Sequence, residues 1–98
     1  MVQHVVLFKW KPSTTPQQIA QAKNGLTQLP KLIPGITAYS AGDQCSPENL
    51  GKGFQFGFVM TFTDAAARDV YLVHPEHKKL VEFLLTVLDD ALVLDYAF

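Results

Sequence analysis

A chain of 98 residues with 48% apolar side chains and a formal charge of −1 has material for a packed core and too little charge for disorder. Its Lys and Arg residues are scattered, so no basic stripe holds a phosphate backbone and nucleic acid is not an expected partner. No apolar run approaches a membrane span, Met1-Val2-Gln3-His4 lacks a signal-peptide pattern, and the lone Cys45 has no internal disulfide partner; one domain over residues 1–98 in a reducing, cytoplasmic setting is expected.

Residues 2 to 10 alternate, with Val2, His4, Val6, Phe8 and Trp10 on one face, which predicts a strand. Thr15, Pro16 and Gln18 then supply a helix start: an N-cap, a proline suited to the first helical position and a capping-box partner. Ile19, Ala22, Leu26 and Leu29 follow at helical spacing, and Pro30 is expected to end the helix by pushing Leu29 out of the α region. Pro34-Gly35 marks a turn, residues 36 to 45 read as a second strand, and Ser46 to Gly53 as a loop.

The third strand is read over residues 54 to 62, with Phe54, Phe56, Phe58, Met60 and Phe62 on one face. So bulky a row needs a cover, and the helices are the available one. Asp64 can cap a helix from Ala65 to about Val73, and Pro75 can open another carrying His77, Leu80, Val81, Leu84 and Leu88 in one stripe. Asp89 and Asp90 sit badly for a helix dipole, which leaves that helix end open, and residues 91 to 97 return as a strand. The order is that of a ferredoxin-like βαββαβ fold, an antiparallel sheet with helices on one face. Val5, Leu7, Val59 and Val93, mixed with Lys9, Gln55, Thr61 and Asp95, are expected on the other face. That composition suits an interface, as in a dimeric α+β barrel.

Three histidines are candidates for chemistry, because imidazole titrates near pH ~6.5. A lone inward His4 is ordinarily a hydrogen-bonded core residue. His77 arriving at the same aromatic layer from a distant segment makes a pocket the better reading. Tyr71 can add a phenol, while His74 before Pro75 suits a turn as well as chemistry. His74 and His77 around Glu76 are a weak metal pattern without a third ligand, so no metal and no cofactor is expected. Neither a phosphate loop nor an activated Ser or Cys nucleophile is present, and Cys45 has no sign of activation.

The segments His4-Val5-Val6-Leu7-Phe8-Lys9-Trp10-Lys11, Tyr71-Leu72-Val73-His74-Pro75-Glu76-His77 and Val93-Leu94-Asp95-Tyr96, with the Phe54–Phe62 strand, resemble the stress-responsive A/B barrel (Dabb) domain family. The resemblance spans nearly the whole chain and implies a homodimeric α+β barrel. Similarity to the family's plant polyketide cyclase, which forms olivetolic acid, implies His77 as general base, Tyr71 as the orienting phenol and His4 as support. Phe56 stands where the family often has histidine, so an apolar wall is expected there, with Phe8 and Leu80, against a small apolar or aromatic ligand. The family resemblance equally admits a non-catalytic, stress-related role through assembly, and fold analogy alone admits a cofactor-free monooxygenase or isomerase.

Overall fold

The computed structural model describes residues 1–98. The elements run β1 (Val2–Trp10), α1 (Pro16–Leu32), β2 (Ile36–Asp43), β3 (Phe56–Phe62), α2 (Ala65–Val73), α3 (Pro75–Val87) and β4 (Leu88–Ala97). The four strands form one antiparallel sheet in the order β2-β3-β1-β4, the ferredoxin-like α+β arrangement expected from the element order. No helix is long and apolar enough to cross a membrane.

The alternation in the central strands is what builds the core. Val2, His4, Val6, Phe8 and Trp10 of β1 and Phe56, Phe58, Met60 and Phe62 of β3 are all buried under the helices. Ala22, Leu26 and Leu29 of α1, Tyr71 of α2, and Leu84 and Val87 of α3 close over them. The expected caps form: in a capping box the Gln18 backbone amide donates to Thr15 Oγ1 and the Thr15 amide to Gln18 Oε1, and Asp64 Oδ1 accepts from the Ala67 amide.

Pro30 does not end α1. The helix runs on to Leu32 with the proline inside it, although a helix-interior proline costs about 3 kcal/mol. Leu29 and Ile33, 2% and 1% exposed, bracket Pro30. Burying such side chains stabilises by roughly 1.5–3 kcal/mol each, enough to hold the last turn in place.

The strand bounds move as well. β2 ends at Asp43 rather than residue 45, and β3 begins at Phe56 rather than residue 54. Gly53, at φ +86°, turns the chain so that Phe54 leaves the aromatic row and lies under the Lys9 ammonium, 4.9 Å from its ring centre. β4 starts directly after α3, at Leu88, so Asp89 and Asp90 lie in a strand and not against the helix dipole.

The larger correction concerns which way β4 faces. Val6 pairs with Val93 and His4 with Asp95, and directly paired residues share a face. Val93 and Asp95 are therefore inward, and Leu92, Leu94 and Tyr96 point outward beside Leu7, Val5 and Gln3. A one-residue shift of parity exchanges every side chain between faces, and an edge strand with apolar residues at both parities gives no sequence signal to choose. The outer face is consequently more apolar than expected, with Leu94 58% and Tyr96 49% exposed.

Candidate functional site

Between the β1, β3 and β4 side of the sheet and the three helices lies a cavity of about 310 Å³, within the ordinary size range of ligand sites. His4, Tyr71 and His77 gather at one end, and Val6, Phe8, Leu80, Leu84, Leu88 and Val93 supply apolar walls. Five of the six residues singled out from the sequence thus meet: His4, Phe8, Tyr71, His77 and Leu80.

Phe56 does not join them. It is buried against Phe8 and Trp10 and faces the α1 side, with the Lys23 ammonium 5.2 Å from its ring centre. Inward parity alone does not place a residue in this cavity: on β3 it is Phe58, opposite Val6, that lines it, while Phe56, opposite Phe8, packs on that ring and on Trp10, and Val93 and Ala91 of β4 supply further wall.

Tyr71 is the hinge of the polar end. Its ring lies 4.3 Å from that of His77, 5.1 Å from Phe62 and 5.8 Å from His4, centre to centre. Burial first, and then the neighbouring Tyr39 and Asp95 charges, push its phenol well above the ordinary range. Tyr71 is accordingly a neutral O–H donor, not a base.

His77 is half-buried on the first turn of α3. Its Nδ1 lies 3.2 Å from the Leu72 carbonyl oxygen. A carbonyl can only accept, so Nδ1 carries the hydrogen and Nε2 keeps its lone pair. Burial lowers the pKa of this imidazole, with His4 and His74 acting in the same direction against the opposing Leu72 hydrogen bond. The result is a neutral ring with an available base nitrogen at an apolar cavity.

His74 takes a different part. It is the N-cap of α3, and its Nδ1 accepts from the Glu76 amide at 3.1 Å. A structural role thus accounts for a histidine that the sequence left between turn and chemistry.

His4 is 5% exposed, and its Nδ1 lies 2.6 Å from Oδ1 of Asp95. Oδ2 of Asp95 accepts from Nη1 of Arg68 at 2.9 Å. Burial opposes ionisation of Asp95, but the hydrogen bonds from His4 and Arg68, with the Arg68 charge, outweigh it and hold the carboxyl below its ordinary range. The sequence pattern gave no sign of Arg68 and put Asp95 on the opposite sheet face. A histidine buried on a strand calls for an acceptor, which was the one available signal, but that Asp95 supplies it follows only from the pairing of β4 with β1.

Leu80 is held from behind by α1. A Cβ added at Gly25 would stand 2.7 Å from Leu80 Cδ1, the flexible end of a side chain that lines the cavity. Gly25→Ala is therefore expected to push Leu80 into the cavity. The helix gains roughly 1 kcal/mol from alanine, offsetting much of a repacking cost of about 1–3 kcal/mol. Thermal unfolding should stay near wild type while a hydrophobic probe dye titrated into the cavity binds the variant more weakly than the wild type; equal binding would show that Leu80 moves elsewhere.

The stress-responsive A/B barrel domain model matches residues 2–98. The stress-response A/B barrel domain-containing protein HS1 of Arabidopsis thaliana is 35% identical over 95 residues, covering 97% of this chain and 87% of that protein. An Arabidopsis thaliana crystal structure superposes with a TM-score of 0.93 at 34% identity, covering 100% of this chain and 95% of the other. A protein from Jannaschia sp., described as a dimeric ferredoxin-like protein of unknown function, gives a TM-score of 0.88 at 30% identity over 99% and 98% of the two chains.

Proposed function

This chain belongs to the stress-responsive A/B barrel domain family, and from that premise we propose that it acts, as one domain over residues 1–98, in a homodimer that binds a small, mainly apolar molecule of aromatic or polyketide-like type and moves a proton on it. The observation that carries this reading is His77. Its Nδ1 is tied to the Leu72 carbonyl, and its Nε2 lone pair is left free at an apolar cavity beside the Tyr71 phenol.

The chemistry follows from those two groups. A C–H between two carbonyls is acidic enough for imidazole, so Nε2 of His77 takes that proton. The electron pair moves onto the neighbouring carbonyl oxygen, where the Tyr71 O–H stabilises it by a hydrogen bond. The enolate carbon then bonds to a second carbonyl carbon of the same chain and closes a ring. The new alkoxide recovers a proton from the imidazolium, which restores the base; the adduct then loses this hydroxyl as water, and enolisation of the remaining ring carbonyls gives the aromatic product.

The same reading gives the outer sheet face its role: Val5, Leu7, Leu92, Leu94 and Tyr96 form an apolar surface that a second copy covers. A reducing, cytoplasmic setting suits the exposed free thiol of Cys45. The outer surface also motivates a second reading, in which the stable assembly is itself the product and the cavity binds nothing.

Incubation with a short poly-β-ketoacyl thioester separates the two. The expected result is a cyclised aromatic product formed faster than in buffer. Identical product and rate with and without protein would reject the cyclase reading and leave the assembly reading standing.

A further inference from the structure

The reaction above uses His77 and Tyr71 and leaves the second imidazole of the cavity unexplained. His4 is buried among Phe58, Phe62 and Tyr71, with ring centres 6.0, 6.1 and 5.8 Å away. Its Nδ1 is bonded to Asp95, yet no fully enclosed side-chain nitrogen or oxygen lacks a partner. Its Nε2, which has no protein partner, therefore opens to the cavity that His4 lines. Behind it, Asp95 is held from α2 by Arg68, and Arg68 also bonds Asp69 at 2.9 Å. The other titratable groups nearby are Tyr71 on α2 and His77 on α3, with Tyr39 beyond Tyr71 and His74 beyond His77.

We propose that Arg68 is a positioning residue that acts through Asp95 to fix His4 with its hydrogen on Nδ1 and its Nε2 lone pair toward the cavity, making His4 a second acceptor in the site. This rests on the cavity being the functional site. A carboxylate has two equivalent oxygens and can rotate, so Asp95 alone would bond His4 in many orientations. Arg68 claims Oδ2 and leaves Oδ1 for the imidazole. In a His–carboxylate pair of this kind the carboxylate selects the tautomer, and the tautomer decides which nitrogen can accept.

The arrangement makes an asymmetric prediction. In Asp95→Asn only one oxygen remains, and Arg68 can bond only to an oxygen. The new amide must then turn its NH₂ toward His4, so Nδ1 becomes the acceptor and the hydrogen moves to Nε2. Adding Arg68→Leu releases the amide, which can turn its oxygen back to Nδ1.

Nitrogen-15 NMR of the histidine side chains in the ligand-free protein reads this directly. The expected result is the Nδ1–H form of His4 in the wild type, the Nε2–H form in Asp95→Asn, and return of the Nδ1–H form in the double variant. Arg68→Leu alone should weaken or abolish the far-downfield Nδ1 proton signal of the short His4–Asp95 bond, and Arg68→Lys should retain part of it. Retention of Nδ1–H in Asp95→Asn, or a downfield signal indifferent to Arg68→Leu, would overturn the proposal. Because no substrate is used, that failure is distinct from a failure of the cyclase reading. Should Asp95→Asn not fold, the Arg68→Leu comparison still decides.

Discussion

Replacing His77 with alanine is expected to lower turnover of a poly-β-keto thioester by about 10² to 10⁴, the usual worth of a positioned general base. The loss should fall on kcat more than on KM, because the walls that hold the substrate, Phe8, Leu80, Leu84 and Val93, are untouched. The fold should survive, since the α3 cap comes from His74 and not from His77, which is only half-buried. A pH–rate profile gives an independent check. The base works unprotonated, so the rate falls as pH drops through the His77 pKa. Burial lowers that pKa, so the acid limb should lie below the ordinary imidazole range and the rate should be level around pH ~7. Tyr71→Phe should leave the acid limb where it is and reduce the rate, since the phenol donates and does not titrate in that range. Unchanged turnover in His77→Ala, with the assembly intact, removes His77 as the base.

Leu94→Glu should convert the proposed homodimer to a monomer. Leu94 is 58% exposed on the outer face of the chain alone, paired with Val5 across β1, so the protomer itself has little to lose from the change. In a two-fold face-to-face dimer the same position is buried twice. Each uncompensated charge there costs about 3–5 kcal/mol. Together they would weaken the dimer by roughly 10⁴-fold or more. Sedimentation at micromolar concentration should show a dimer for the wild type and a monomer with native circular dichroism for the variant. A wild-type monomer would remove the barrel proposal, and a dimeric variant would place the interface elsewhere.

The central strands were legible because their pattern admits one reading. In β1 and β3 the bulky residues fall at a single parity, so the sequence names both the strand and its buried face, His4 included. The caps at Thr15 and Asp64 were legible for a similar reason, since a cap is a local bond between residues three apart.

What escaped the sequence involved competition between distant groups. Pro30 stays helical because tertiary burial of Leu29 and Ile33 outweighs a local penalty. Phe56 has the right parity but sits one inward position beyond Phe58, the β3 residue that lines the cavity, and packs on Phe8 and Trp10 instead; only the sheet register decides which member of the aromatic row reaches in. In β4 both parities carry apolar residues, so the face was fixed only by pairing with β1, which brought Asp95 to His4 and sent Leu92, Leu94 and Tyr96 outward. The sequence by itself therefore determined the βαββαβ order, the aromatic inner face and the approach of His4, Tyr71 and His77. Only the tertiary structure decided the hydrogen-bond partners that set those histidines' tautomers, because such partners lie across the fold and no spacing along the chain encodes them.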